Sequence, residues 1–506
     1  MGWCLCFGLC LAMYAPADIT LYVVPPGTAV TPAEPYTSWD TAATNIQTAI
    51  NAAGANAGYN TVVVSSGVYN LTGQLTINKG MLVRSWKDGA LDRTNTKIVA
   101  GTGFRCVELN HADAVLCGFT LTNGSLTYQG AGVCINTGGG TVSNCIITGN
   151  SVKYDGGGVY QLAGLVADCV ISGNVAHTSG SYKGAGIYAR GGQIMDSQII
   201  NNLASGDTLY GYGAGVLVSG PYSITRCVIA GNTNNCRSGS VGGGLYVQGS
   251  ASLSISNSII KNNYVNGGGG GVYLRNTQNV DVRDCDISGN TVSANGGGIC
   301  TDFREYISNC LFANCTITGN YALNGGGIYI NNSTNLIAFQ NCLIAGNTAA
   351  GAGSVYGGGI YMASSVSSID NCTIAGNSAK TAGGGIYASI AITNPVNNCI
   401  IYNNTASANK DIVLTAPESA YCFFYSCAGS MILPPDQGNH TNNPKFVGAD
   451  DFHLSVDSSC VNTGTNALWM AGAVDLDGRD RIDRFSKLVD MGCYECLPRG
   501  VMFNLR

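Results

Sequence analysis

Charge is the first thing this chain lacks. Only 10% of its 506 residues are Asp, Glu, Lys or Arg, against about 25% in an ordinary soluble domain. Net charge is −5 with no basic block, so the electrostatic footprint of a nucleic-acid partner is missing. No later stretch approaches the roughly 18 apolar residues of a bilayer-spanning helix, and no transmembrane segment is expected. Histidine is scarce too. His111, His177, His440 and His453 match no repeating slot and read as surface residues rather than bases. The one CxxC, Cys493 to Cys496, has no partner at zinc spacing, so no metal is expected. No Gly-Lys-Ser/Thr follows the glycine runs, which excludes a phosphate loop.

Glycine, by contrast, is abundant at 71 residues, about twice its usual share of about 7%. Much of it stands in GGGIY, a phrase begun at Gly130, Gly156, Gly184, Gly213, Gly242, Gly269, Gly296, Gly325, Gly357 and Gly383. A second phrase, NCxIxGN, begins at Asn144, Asp168, Asp196, Arg226, Asn257, Asp284, Asn314, Asn341, Asn371 and Asn398. Copies are about 24 to 32 residues apart, and such a period means a solenoid. Three short strands with Gly-rich corners fit this period. The expected fold is all-β: a single-stranded, right-handed parallel β-helix with in-register stacking.

Side chains alternate across a strand. Ile328 and Ile330 of GGGIYI then face inward and Tyr329 faces out. The outward slot repeats as Tyr160, Tyr188, Tyr246, Tyr273, Tyr329, Tyr361 and Tyr387, an aromatic row that could stack sugars or meet a protein. Stacking that merely stabilises the sheet is the structural alternative. Asn150, Asn174, Asn202, Asn232, Asn263, Asn290, Asn320, Asn347, Asn377 and Asn404 recur at one corner, where amides bond in series. On that reading Asn320→Leu in mid-column harms more than Asn404→Leu at its end.

Nineteen of the 22 cysteines follow residue 17. Cys145, Cys169, Cys227, Cys285, Cys315, Cys342, Cys372 and Cys399 share the inward slot of the second phrase, Ser197 and Ser258 replace them in two coils, and Cys117 aligns as a further member. A slot that accepts Cys or Ser wants a small buried side chain, so these are packed thiols. Tail cysteines lie outside the repeat, and Cys427–Cys460 is the first disulfide candidate there.

Residues 1–17 read as a signal peptide ending Ala15-Pro16-Ala17, although no Lys or Arg precedes the apolar run. Residues 18–97 hold an N-terminal cap and the first coils. Ile46, Ala49, Ile50 and Ala53 mark a capping helix stopped by Gly54. Residues 98–409 are the repeats, and 410–506 a C-terminal capping domain in which Phe423, Phe424 and Tyr425 cover the last coil.

SWDTAATNIQTAINAA, TVVVSSGVYNL, and the GGGIY and NCxIxGN coils resemble secreted bacterial right-handed β-helix proteins of the pectin-lyase-like superfamily. Those coils are similar to polymorphic outer-membrane and autotransporter-type adhesins. The tail, NNPKFVGADDFHLSVDSSCVNTG with VDLDGRDRI and VDMGCYE, resembles the choice-of-anchor Q domain. The resemblance implies a secreted or cell-surface location but no activity, since the fold hosts lyases, hydrolases and adhesins alike.

The resemblance also implies that enzymes of this kind use clustered carboxylates with calcium and a basic residue, or paired aspartates. The one charge cluster in the coils is Arg275, Asp281, Arg283, Asp284, Asp286, Asp302, Arg304 and Glu305. It reads first as surface ion pairs, Arg275 with Asp302 among them, as is Asp196 with Arg226. The DLDGRDR segment, with Asp475, Asp477 and Asp480, reads as a turn rather than a calcium loop. The leading reading is a monomeric adhesin or binding rod for a polysaccharide, or for a cell-surface glycan or protein. A polysaccharide lyase or glycoside hydrolase is the alternative. No cofactor is expected, calcium entering only with a lyase.

Overall fold

The computed structural model describes residues 18–496 apart from 178–181, 207–210, 238, 250–251, 302–306, 332–336, 365, 367 and 431–432. The expected signal peptide lies outside the described residues. Most coils contribute one strand to each of four parallel sheets. In one coil these strands are Thr141–Ser143, Ile146–Thr148, Ser151–Val152 and Val159–Gln161. The first to fourth sheets of the molecule hold 15, 14, 11 and 13 strands, and every strand pairs with its copy in the next coil. Three strands per coil were expected. The missed one, on the third sheet, is mostly two residues long, too short to show a period.

One continuous apolar core runs inside the coils. Val159, Ile187, Val216, Leu245, Val272, Ile299, Ile360 and Ile386 fill the predicted inward slot and are fully buried. The first glycine of each GGG turns a corner, as at Gly325 with φ 61°. The third has a different reason. A Cβ on Gly327 would lie 2.7 Å from the Gly359 carbonyl oxygen, so glycine there lets successive backbones pack.

The asparagine column is continuous. Asn320 Nδ2 donates to Asn347 Oδ1 at 2.9 Å and to the Ile287 carbonyl at 2.9 Å. The same pattern runs from Asn150 to Asn404, where Nδ2 donates to Asp411 Oδ1 at 2.9 Å. Both ends are therefore satisfied: Gly124 N donates to Asn150 Oδ1 at 2.9 Å. The column continues past Asn404, which removes the expected contrast between Asn320 and Asn404.

In the cysteine column, Cys342 Sγ donates to the Gln340 carbonyl at 3.3 Å. Ser197 Oγ makes the equivalent bond to Met195 at 2.7 Å, so the slot wants a short donor as well as small volume. Cys117 is not a member. It pairs with Ser143, which sets Phe119 opposite Cys145. None of the nineteen described cysteines is in a disulfide.

At the N-terminal end the helix Ile46–Ala55 caps the core with Ile46, Ala49, Ile50 and Ala53 buried, and Asn45 as N-cap. It runs through Gly54, which was expected to stop it. At the other end the coil pattern continues beyond residue 409, through Phe423–Phe424 and Cys427–Ala428. Only Phe423 enters the core; Phe424 is half-buried and Tyr425 is 38% exposed. Beyond them Leu433 is also buried in the core. The rest of the tail folds back along the outside of the second sheet.

Candidate functional site on the second sheet

The sequence-predicted tyrosines form one ladder on the fourth sheet, in register from Tyr160↔Tyr188 to Tyr361↔Tyr387. They point away from the core as expected, but they do not make an open stripe. Tyr160, Tyr188, Tyr246 and Tyr273 are all under a tenth exposed, and Tyr246 is fully buried. Tyr212 and Val241, from short outer strands crossing above, pack on them. Tyr329, Tyr361 and Tyr387 are half-buried. Their rings stack at 4.9 Å and 5.3 Å, tilted by 12° and 18°. Faces so occupied by neighbours are closed to a sugar, which leaves edges only.

The charge cluster is spread around one corner, and its described carboxylates are already held by neighbours. Arg283 pairs with Asp281 at 2.9 Å. Asp284 accepts from Asn314 at 3.1 Å, and Asp286 from Ser288 at 2.9 Å. Asp302, Arg304 and Glu305, and with Asp302 the expected Arg275 pair, lie outside the described residues. The Asp196–Arg226 pair forms at 2.6 Å. Cys427 and Cys460 are neighbours in one buried cluster, with no disulfide between them.

The site that sequence reasoning missed is the outer face of the second sheet with the corner row beside it. The row is the first residue of each NCxIxGN phrase. Asn144, Asp168, Asp196, Arg226, Asn257, Asp284, Asn314, Asn341, Asn371 and Asn398 all hold φ near +50°. Asn and Asp tolerate this left-handed conformation best, because their short polar side chains bond locally. That preference was the signal available in the sequence.

Over the last coils the tail docks on this row and face. Asn341 Nδ2 donates to the Val474 carbonyl at 3.1 Å, Asn371 Nδ2 to Asp490 at 3.1 Å, and Asn398 Nδ2 to Thr465 at 2.9 Å. Below them Leu343 and Ala345 pack against Phe452, Leu476, Cys493 and Tyr494. The tail is itself held by the charged motif. Asp475 accepts from the backbone of Asp477, Arg479 and Glu495, so this stretch is a turn, as expected. Arg481 is wholly buried 3.1 Å from Glu495. His453, read from sequence as a plain surface residue, bridges Asp451 at 2.5 Å and Asp477 at 2.8 Å.

Upstream the same face is bare. Ile146, Val170, Ile200, Val228 and Ile259 make a partly exposed apolar floor. Asn144, Asp168, Asp196 and Arg226 edge it. At its N-terminal end the loop before residue 96 closes over Thr120, whose Oγ1 donates to the Arg93 carbonyl at 2.6 Å. Between that loop and the floor lies an open groove of about 580 Å³, lined by Leu91, Arg93, Asn144, Asp168, Val170, Asp196 and Gln198.

The family comparison agrees with this architecture. The family described as the right handed beta helix region matches at residues 210–357 and 270–466. Together these matches span just over half the chain, and the chain belongs to that family. Among solved structures, that of the pectate lyase Pel9A is similar over 95% of this chain and 97% of its own, at 13% identity with a TM-score of 0.38. No curated protein matches. Among the described residues, no helix is long and apolar enough to cross a membrane.

Proposed function

We propose that this protein is an extracellular or surface-displayed binding rod that takes an extended polysaccharide along the bare second-sheet face. One observation carries the reading: the protein's own tail already occupies the downstream part of that face. Corner amides reach its carbonyls there, over an apolar floor. The upstream coils present a polar row at the same corner, Asn144, Asp168, Asp196 and Arg226, beside a partly exposed apolar floor. A polysaccharide offers what such a surface selects, hydroxyls for the row and apolar ring faces for the floor. The tyrosine ladder then serves the sheet rather than the ligand.

A second reading rests on the groove. Arg93, Asp168 and Asp196 line it together, and two carboxyl groups across a scissile bond serve glycoside hydrolysis. Against this, Arg226 binds both oxygens of Asp196, at 2.6 and 2.7 Å.

Affinity electrophoresis in gels cast with acidic and neutral polysaccharides, with and without calcium, separates the readings. Retardation without new reducing ends or ultraviolet-absorbing products supports the binding rod. Turnover that disappears in Asp168→Asn supports the hydrolase or lyase. Free migration in every gel contradicts both.

A further inference from the structure

We propose that Cys427, His440 and Cys460 form a site for a single thiophilic divalent cation of the zinc class, which pins the tail to the last coil. Among the described residues, these three are the one group of potential ligands brought to metal-binding distance. Their donor atoms all lie within 4.8 Å of one another.

Three separate backbone segments deliver the donors. Cys427 sits on the last strand of the second sheet, Cys427–Ala428. His440 lies against it: His440 N donates to the Ser426 carbonyl at 3.0 Å, and Ala428 N to the His440 carbonyl at 3.1 Å. Cys460 arrives from the folded-back tail, where its carbonyl accepts from Met491 N at 2.9 Å. Both cysteines are fully buried. Neither ring nitrogen of His440 reaches solvent or has an oxygen or nitrogen partner, and the imidazole interacts with the Cys460 sulfur.

That last fact separates a metal from the disulfide expected at Cys427–Cys460. A disulfide joins the sulfurs and leaves the shielded imidazole unpaired, at a cost of about 1–3 kcal/mol. A cation takes both thiolates and one imidazole nitrogen, and a water completes four-coordination. Both sulfurs bind as thiolates, so affinity falls at low pH. Around the donors stand Leu454, Met491, Phe446 and Ile400, an apolar shell that strengthens charge interactions inside it. The donors are not sequential neighbours, which is why no CxxC spacing announced them.

The test uses the full chain, purified under reducing conditions without chelator. Elemental analysis is expected to find about one zinc per chain. Cobalt reconstitution is expected to give the thiolate charge-transfer and tetrahedral visible bands, both absent from Cys460→Ser and reduced in His440→Ala. Cys422→Ser, outside the trio, keeps both. Should the trio variants fail to fold, the cobalt spectrum of the unaltered protein decides alone. A reduced protein that takes up neither metal overturns the proposal. So does peptide mapping that finds Cys427–Cys460 disulfide-bonded in protein that still folds back its tail.

Discussion

Each inward or corner residue of a coil does one job that its neighbours in the column repeat. Cys342 fills a small slot and donates to a carbonyl two residues back. Cys342→Ser keeps both features and should change stability by under about 1 kcal/mol, while Cys342→Leu overpacks the slot at about 1–3 kcal/mol. Urea unfolding of the two variants checks the contrast. Tyr246 is the residue whose role changed most. It is enclosed on every side, so Tyr246→Ser should lose about 3–5 kcal/mol through the cavity left behind. Polysaccharide retention by the fraction that still folds should be unaltered. Lost retention with undiminished stability would return the tyrosines to the binding face.

Columns are the elements of this fold. Asn320→Leu removes the acceptor for both Asn290 Nδ2 and Asn290 N, and the donor to Asn347. The orphaned groups should cost about 3 kcal/mol or more in total. Because the column is closed by Gly124 at one end and Asp411 at the other, Asn150→Leu and Asn404→Leu should cost a similar amount. Melting temperatures that fall only for Asn320→Leu would mean the ends are open after all. These columns were legible in the sequence because each copy of a slot reports the same environment. The inward isoleucines, the asparagines and the thiols could be assigned by aligning one chain with itself. What crosses above a slot has no such period. The short outer strands over Tyr246, the tail over Leu343 and the convergence of His440 with two distant cysteines come from irregular segments. Self-alignment says nothing of them.

At the scale of the molecule, the tail is a strap whose grip depends on pH. Burial pushes the His453 pKa down, but Asp451 and Asp477 outweigh it, and the net shift is upward. Burial also lifts Glu495 to about 8, against the pull of Arg481. A raised folded-state pKa stabilises below the unfolded value and loses that contribution as pH climbs through the folded one. The His453 contribution is therefore complete below about 6.5 and is lost as pH rises from there through its raised pKa; the Glu495 contribution fades between about 4.5 and 8. His453 is partly exposed, so its clasp is worth about 1 kcal/mol at most. Limited proteolysis between residues 441 and 496 should accelerate from pH 6 to pH 9, and less steeply in His453→Gln. Equal slopes in the two proteins would remove the clasp from the account.

The bare floor upstream of the strap decides the functional reading. Val228 and Ile259 are neighbours on it, partly exposed and pointing away from the core, so charges placed there need not disturb the core. The direct measurement is affinity electrophoresis of the Val228→Glu, Ile259→Glu double variant in whichever polysaccharide gel retards the parent protein, beside its urea unfolding curve. The binding-rod account predicts that retardation falls at least about tenfold in affinity, equivalent to about 1.4 kcal/mol, while the unfolding curve stays in place. Full retardation of the folded double variant would contradict it.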